Sequence, residues 1–316
     1  MDGETMRAVR FERYGGVEEL QVVDVPWPAA EPGRAVVDVV AASINPGEAA
    51  IRRGVLHDRF PAQFPEGEGS DLAGVVAQVG AGVTNVAVGD EVIGWSDERS
   101  SHAEAVSVPA TQLVPKPEGV SWEAAGSLYV AGVTAVANVR SVRVQDGDVV
   151  AVSAAAGGVG SITVQLARHR GANVIGIAGP RSAEWLRSVG VVPVEYGDGL
   201  AERIGAAAPT GVDAFIDCFG GGYVDLAVEL GVPRDRINTI IDWPAAQRLG
   251  TKQDGMATVA DPAAAISELA ELIARGDLVV PIARTFPLDD VRLAYEQLEQ
   301  RHTLGQIVLL MRRPPA

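Results

Sequence analysis

The chain has 316 residues, of which 47% are hydrophobic and 21% are charged, a balance that is typical of a folded two-domain protein and excludes a largely disordered chain. Its 26 Lys and Arg residues against 41 Asp and Glu give a formal charge of −15, which disfavours nucleic acids and anionic membranes as the main partners. With one cysteine, an acidic N-terminus and no apolar run of bilayer length, we expect a cytoplasmic protein without disulfides.

The first third of the chain predicts a β-rich domain. Short segments rich in Val and Ala are separated by Gly and Pro turns, a pattern that is typical of a compact, barrel-like antiparallel fold. The predicted strands are 7–11, 20–25, 35–42, 74–79 and 91–95.

Beyond Ser121 the pattern changes to strands that alternate with helix-length segments, which is the rhythm of parallel βαβ units. The strands predicted here are 148–153, 173–178, 192–196, 212–218 and 236–241, with helices at 161–170 and 181–189. The C-terminal part predicts helices at 262–275 and 288–300 and strands at 279–284 and 306–310.

A glycine-rich turn links the strand 148–153 to the following helix. Small residues occupy the three positions that a dinucleotide-binding turn requires, with Ala155 in the first of them. Their small size lets the backbone approach a pyrophosphate, and the unpaired amides at the helix start face its charge. A turn without a ligand is the alternative. The predicted coenzyme contacts in this segment are Ala155, Ala156, Gly157, Gly158, Val159 and Gly160.

The end of the second strand favours NADPH over NADH. No carboxylate occurs between positions 171 and 183, where an NADH site usually places one for the ribose hydroxyls. Gly179 leaves space, and Arg181, followed by Ser182, offers a fork of donors that matches a 2′-phosphate. A solvated arginine at a helix start is the alternative interpretation of Arg181.

Further coenzyme contacts are predicted at the carboxyl ends of the later strands, where parallel sheets bind their ligands. Tyr196 could stack or hydrogen bond near the 2′-phosphate, or it could be a core aromatic residue. Asp217, Phe219 and Ile241 are predicted to line the coenzyme from the other side.

Taken in order, these segments resemble the medium-chain dehydrogenase/reductase superfamily and, within it, the zinc-free quinone oxidoreductase branch. The resemblance covers nearly the whole chain. It is carried by Asn45-Pro46 and by the segments 69–76 (GSDLAGVV), 79–83 (VGAGV), 89–92 (GDEV), 131–135 (AGVTA), 154–160 (AAAGGVG) and 305–309 (GQIVL). The chain departs from the family at Glu48, Tyr129 and Gln306, where Asp, Pro and Lys are common.

The resemblance implies an α/β fold with two domains. A GroES-like β-rich catalytic domain would comprise residues 1–122 and 263–316, and an inserted Rossmann-type domain with a doubly wound parallel sheet would comprise residues 123–262. It also implies a homodimer that forms by pairing of the nucleotide-binding sheets along the strand 236–241. Asn45 and Thr134 would lie near the nicotinamide or the substrate; a loop-capping Asn and an ordinary helix Thr are the alternatives.

The composition argues against zinc, because one cysteine, Cys218, supplies neither thiolate set of zinc alcohol dehydrogenases. Without a Lewis acid, oxidation of an alcohol is disfavoured. A quinone or an α,β-unsaturated carbonyl can instead accept hydride from NADPH while hydrogen-bond donors hold the growing oxyanion. Tyr129 is a candidate donor, or else a core aromatic residue.

We therefore expect a metal-free NADPH-dependent oxidoreductase that reduces a small quinone or enone. An enoyl-thioester reductase or biosynthetic tailoring reductase is the second hypothesis. An NADPH-binding sensor with little turnover is a third, from another functional class.

Overall fold

The computed structural model describes residues 4–301 and 303–311; residues 1–3, which entered the N-terminal prediction, lie outside the described residues. The chain divides into two compact units. The first unit comprises Met1–Val130 with Pro262–Ala316, and the second unit comprises Ala131–Asp261.

The described residues form strands and helices that we number in chain order. The strands are β1 (Thr5–Phe11), β2 (Gln21–Pro26), β3 (Arg34–Ser43), β4 (Glu66–Gly67), β5 (Asp71–Val79), β6 (Glu91–Trp95), β7 (Ala105–Pro109), β8 (Leu113–Pro115), β9 (Val149–Val152), β10 (Asn173–Ala178), β11 (Val192–Glu195), β12 (Ala214–Asp217), β13 (Ile237–Thr239), β14 (Ile282–Pro287) and β15 (Gln306–Leu310). The α-helices are α1 (Pro46–Arg52), α2 (Trp122–Ala125), α3 (Thr134–Ser141), α4 (Gly158–His169), α5 (Ala183–Ser188), α6 (Leu200–Ala207), α7 (Tyr223–Glu229), α8 (Trp243–Leu249), α9 (Pro262–Ala274) and α10 (Val291–Glu299). Short 3₁₀ turns and one π-helical turn (Leu128–Val133) complete the secondary structure.

The first unit is built mainly on antiparallel strands, as its short Val-rich segments predict; the pair β14–β15 is parallel. A seven-stranded sheet has the order β14-β15-β3-β5-β6-β8, with β7 also paired to β3, and a three-stranded sheet has the order β2-β1-β4. The central strand β3 is almost entirely buried, which explains why its sequence is a nearly continuous apolar run. The core of this unit includes Val37, Leu72, Tyr295 and Leu309.

The second unit contains a parallel sheet with helices between its strands. Its strand order is β11-β10-β9-β12-β13, and all four pairings are parallel. The chain starts in the middle at β9, proceeds to one edge and then returns to build the other half. The order therefore reverses between β9 and β12, which is where such sheets bind ligands beyond their carboxyl ends. Strand β13 forms one edge.

Residues 123–130 cluster with the first unit, whereas the sequence assigned them to the inserted domain. Helix α2 contacts β3 and β5 of the first unit. The amides of Tyr129 and Val130 donate to the Asp71 carboxylate at the start of β5. These contacts hold the segment against the first sheet.

Most predicted strands differ from the structure by one to three residues at an end, and two of these differences have a clear cause. The prediction 279–284 is wrong in its first half, because β14 starts at Ile282; Pro281 has no amide hydrogen to donate to a strand ladder. The prediction 236–241 is too long, because β13 ends at Thr239. The Thr239 hydroxyl accepts the amides of Ile241 and Asp242 at 3.3 and 3.0 Å, which turns the chain out of the sheet.

Within residues 4–301 and 303–311, no helix combines the length and the apolar composition that crossing a membrane requires.

Candidate active site

The turn between β9 and α4 contains the small residues that the sequence assigns to a dinucleotide. Ala154 adopts a left-handed φ of 45°, and its carbonyl oxygen accepts the Gly157 amide at 2.8 Å. A Cβ atom on Gly160 would overlap that same oxygen, so only glycine allows α4 to lie this close to the turn. The first amides of α4 have no carbonyl one turn back. All predicted contacts of this segment lie here, namely Ala155, Ala156, Gly157, Gly158, Val159 and Gly160.

Gly179 and Tyr196 lie next to each other where β10 and β11 end. A Cβ on Gly179 would be 3.4 Å from the Tyr196 hydroxyl, and 48% of Tyr196 is exposed. Arg181 and Ser182 follow in the 3₁₀ turn Pro180–Ser182. Arg181 is exposed, and its guanidinium has no ion pair with the described residues. This end of the sheet therefore presents an unpaired cation near an accessible phenol.

The segment that carries Tyr196 is held by Arg203 on α6. The Arg203 guanidinium donates to the carbonyl oxygens of Glu195 at 2.8 Å, Gly197 at 3.1 Å and Asp198 at 2.6 Å. Sequence reasoning missed this residue, since a helix arginine carries no signal for a bond to a preceding loop. The bonds from Arg203 fix the chain at the end of β11, where Tyr196 lies.

Asp217 ties together the ends of three strands. Its buried carboxylate accepts the hydroxyl of Ser153 at 2.6 Å and that of Thr239 at 2.8 Å. It also accepts the amides of Phe219 at 3.0 Å and Gly220 at 2.9 Å. These bonds shape the turn that presents Phe219, and the coenzyme contact at Asp217 stays a prediction.

Three large apolar side chains are exposed at the carboxyl ends of the last strands in this sheet. Tyr196 is 48% exposed, and Phe219 and Ile241 are each 42% exposed. A Cβ on Gly220 would lie 3.3 Å from Ile241 Cγ2, so the turns after β12 and β13 are in contact. Exposed apolar groups grouped around one end of a sheet are typical of a ligand site.

In the first unit, Asn45 precedes α1 as its N-cap residue. Its side-chain nitrogen donates to Asp71 Oδ2 at 2.9 Å, and its backbone amide donates to Glu48 Oε2 at 2.8 Å. The same nitrogen is 3.4 Å from Ser43 Oγ. Asn45 therefore occupies a capping position, as the alternative interpretation of this residue predicts. It also donates a hydrogen bond to a buried carboxylate.

Tyr129 stacks on Trp95, with ring centroids 4.9 Å apart and an interplanar angle of 9°. Its hydroxyl donates to Asp97 Oδ1 at 3.3 Å. Burial and the nearby Asp97 carboxylate raise the pKa of the Tyr129 phenol well above its usual range. The phenol is therefore protonated at neutral pH, with its hydrogen directed to Asp97. Asp97 gave no signal in the sequence, because it is distant from Tyr129 along the chain.

Thr134 is the first residue of α3 and follows the π-helical turn Leu128–Val133 directly. It is 7% exposed. Because π-helical turns are rare and are frequent at functional sites, the position suits a residue that contacts a ligand.

Behind Asn45 lies a cluster of buried ionisable groups in the first unit. Arg52 is fully buried and its Nη1 pairs with Glu68 Oε1 at 2.5 Å. The guanidinium also lies over the Tyr295 ring, 4.5 Å from its centroid, and Tyr295 donates its hydroxyl to Glu48 at 2.9 Å. His102 donates from Nε2 to the Ser43 carbonyl at 3.0 Å, and burial lowers its pKa to about 4. The sequence did not indicate this cluster, because its members come from distant segments.

Burial raises the pKa values of the carboxyl groups in this cluster. The pKa of Asp71 rises to about 7 and that of Glu68 to about 8, and that of Glu48 also rises. Neighbouring carboxylates add to the effect, since Glu48 raises the pKa of both Asp71 and Glu68. These groups are buried together with one arginine, so their protonation is linked to folding.

We expect the free energy of unfolding to fall as pH rises from about 5 to about 8. In that window the folded chain holds protons that the unfolded chain has already released, because the folded pKa values are raised. For Asp71 alone the shift corresponds to about 4 kcal/mol. Thermal unfolding at a series of pH values measures this slope, and Glu68→Gln should flatten it. A melting temperature that increases toward pH 8 would contradict the prediction.

Within residues 4–301 and 303–311, no group of three or more His, Cys, Asp or Glu side chains is arranged to hold a metal ion. Cys218 is half-buried and lies at the end of β12. Burial and the adjacent Asp217 carboxylate raise the pKa of its thiol well above the ordinary value. Asn138 Nδ2 lies 3.6 Å from its sulfur.

Two family models match the chain. The model described as alcohol dehydrogenase GroES-like domain matches residues 31–118, and the model described as zinc-binding dehydrogenase matches residues 191–309. The first match lies on the antiparallel sheets of the first unit, which is therefore GroES-like. The parallel sheet of the second unit is of the Rossmann type.

Individual relatives agree with these matches. A chloroplast envelope quinone oxidoreductase homolog of Arabidopsis thaliana is 32% identical over 70% of this chain and 70% of its own length. The structure of Escherichia coli quinone oxidoreductase complexed with NADPH has a TM-score of 0.86 at 25% identity, covering 96% of this chain and 99% of that one. A polyketide synthase of Streptomyces halstedii is 30% identical over 96% of this chain, which spans only 6% of that much longer protein.

Proposed function

The chain belongs to the medium-chain dehydrogenase/reductase superfamily, in its quinone oxidoreductase branch, and on this basis we propose that it transfers hydride from NADPH to a quinone or an α,β-unsaturated carbonyl compound. The observation that carries the proposal is the tight turn between β9 and α4, where any side chain on Gly160 would overlap the Ala154 carbonyl. Such a turn lets a pyrophosphate rest on the first amides of α4.

Other groups of the second unit support the proposal that it binds NADPH. Arg181 would pair with the 2′-phosphate, because its guanidinium is exposed and without an ion pair among the described residues. Tyr196, which lies over Gly179, would hydrogen bond to the same phosphate, and Ser182 would contribute a hydroxyl. Phe219 and Ile241 would cover apolar parts of the coenzyme.

When bound, the nicotinamide supplies a hydride. Asn45 and Thr134 would orient it and the substrate, and orientation with exclusion of water is the main contribution of the protein. Tyr129 would have to exchange its bond to Asp97 before its hydroxyl could donate to a substrate oxygen. We propose a metal-free reaction, because one cysteine cannot supply the thiolates of a zinc dehydrogenase site and a conjugated acceptor needs no Lewis acid.

A second candidate is an enoyl-thioester reductase or another biosynthetic reductase. The similarity of nearly the whole chain to a part of a polyketide synthase favours it. A comparison of free quinones and enones with enoyl thioesters as acceptors separates the two. Tight NADPH binding without turnover of any acceptor would instead indicate a coenzyme sensor.

We also propose a homodimer that forms through β13, an edge strand of the parallel sheet. Within the chain, Lys252 already bonds to the Thr239 amide and the Ile237 carbonyl on the outer side of β13, so a second copy would have to pair with this edge beyond that bridge. The molar mass in solution, measured by light scattering, tests this state.

The coenzyme assignment predicts that Arg181→Ala lowers kcat/KM for NADPH by about 10-fold or more, equivalent to about 1.4 kcal/mol. With NADH the same variant should change by less than about 3-fold, because NADH lacks the phosphate that the guanidinium pairs with. The assay follows coenzyme oxidation with a p-quinone. Arg187→Ala is the matched control, since Arg187 is an exposed arginine in the last turn of α5. Equal use of NADH and NADPH before and after the change would refute the phosphate assignment.

A further inference from the structure

Asp71 receives four hydrogen bonds in the first unit. Its Oδ2 accepts the Asn45 side-chain amide at 2.9 Å and the Ser43 hydroxyl at 3.1 Å. Its Oδ1 accepts the backbone amides of Tyr129 at 2.8 Å and Val130 at 3.1 Å. The residue is 0% exposed. A carboxyl group that only accepts hydrogen bonds is fully satisfied as a carboxylate, so above its pKa Asp71 is an anion that joins two separate segments.

This arrangement fixes the orientation of the Asn45 side chain. A carboxamide has one donating and one accepting end, and a carboxylate can only accept. The Asp71 and Glu48 carboxylates therefore both select the nitrogen end, at 2.9 and 3.5 Å. The carboxamide oxygen, Oδ1, faces the backbone amide of Glu48 in the capping box at the start of α1, and its second lone pair can accept another hydrogen bond. Asn45 thus presents an acceptor, not a donor.

We propose that Asp71 is a positioning residue of the active site. It holds Asn45 so that Oδ1 accepts a hydroxyl or amide hydrogen of the bound coenzyme or substrate, and it fixes the turn that carries Tyr129. The proposal rests on the proposed function. It also assigns Asn45 an orienting role, because stabilisation of a growing oxyanion would need a donor at that position.

A double-mutant cycle tests the proposal. Wild type, Asp71→Asn, Asn45→Ala and the double variant are assayed at pH 8 with NADPH and 1,4-naphthoquinone. An Asn at position 71 cannot accept all four donors, so we expect kcat to fall about 10-fold or more. In the Asn45→Ala background, Asp71→Asn should lower kcat by less than about 3-fold, because the residue through which Asp71 acts is absent. A rise in the quinone KM would place the partner of Oδ1 on the substrate, and a rise in the NADPH Kd would place it on the coenzyme.

Glu66→Gln is the control, since Glu66 is another buried carboxylate of the first unit that pairs with Arg99 and does not contact Asn45. It should leave kcat unchanged. If Asp71→Asn does not fold, Ser43→Ala removes one donor to the same carboxylate and should give a smaller loss that is again absent with Asn45→Ala. Equal losses in both backgrounds would overturn the proposal.

The proposed function can be wrong while the positioning role of Asp71 is right. If wild type oxidises NADPH with no quinone or enone, the proposed function is wrong, and the same four proteins are then compared by the Kd for NADPH. A loss of affinity in Asp71→Asn that disappears in the Asn45→Ala background would still support the positioning role. Additive losses would refute it.

Discussion

At pH 9, above the raised pKa of Glu68 of about 8, Arg52→Met should lower the free energy of unfolding by about 3–5 kcal/mol, because it leaves the buried Glu68 carboxylate without its cation. Arg52 is 0% exposed and Glu68 is 2% exposed, so water cannot replace the lost partner. The substitution also removes the guanidinium that lies over the Tyr295 ring. Urea or thermal unfolding measures the effect, and the melting temperature should fall by about 10 °C.

The adjacent residue offers a matched control for this experiment. Arg53 also pairs with Glu299, but its side chain is 43% exposed, so Arg53→Met should cost less than about 1 kcal/mol. Combining Arg52→Met with Glu68→Gln should recover part of the stability, because the unpaired charge is then absent. If Arg52→Met and Arg53→Met lower the free energy of unfolding by similar amounts, burial of the Arg52–Glu68 pair does not determine its contribution to stability.

Gly160→Ala should weaken NADPH binding by about 10-fold or more, equivalent to about 1.4 kcal/mol. The added Cβ would overlap the Ala154 carbonyl oxygen and lie 3.0 Å from the Ala155 Cα, and both are backbone atoms that no side-chain rotation can move. The turn must therefore open, which displaces the amides that face the pyrophosphate. Titration of NADPH into the variant measures the change in Kd.

Gly205→Ala is the control for the added methyl group. Gly205 lies in α6 of the same unit and has no positive φ. A Cβ added to Gly205 would have no atom outside its own helix within 4 Å. Alanine should leave the NADPH Kd unchanged there and can stabilise the helix by up to about 1 kcal/mol. If Gly160→Ala binds NADPH as tightly as wild type, this turn is not the pyrophosphate site.

The sequence predicts the elements best where local signals are strong. Strands β10 and β15 have the predicted bounds, Asn173–Ala178 and Gln306–Leu310, because each is an apolar run between glycine or polar turns. The start of β14 was misplaced, since Val279-Val280 has the composition of a strand but precedes Pro281. Local composition cannot predict where a strand finds its partner.

The residues of the candidate site also differ in whether a local sequence signal predicts them. The glycine-rich turn is a local signal, and so are Gly179 and Arg181, so the sequence alone predicts them as coenzyme contacts. The contacts of Asn45 depend on Asp71, 26 residues away, and those of Glu48 depend on Tyr295, 247 residues away. No spacing rule connects such residues, so the buried network around Asn45 became visible only in the fold.

Cys218 has a consequence for an enzyme that handles electrophiles. Quinones and enones alkylate proteins by adding to thiolates, and the thiolate is the reactive form of cysteine. Here the chain has one thiol, and its raised pKa keeps it protonated at neutral pH. We therefore expect the compounds that we propose the protein reduces to alkylate this thiol only slowly.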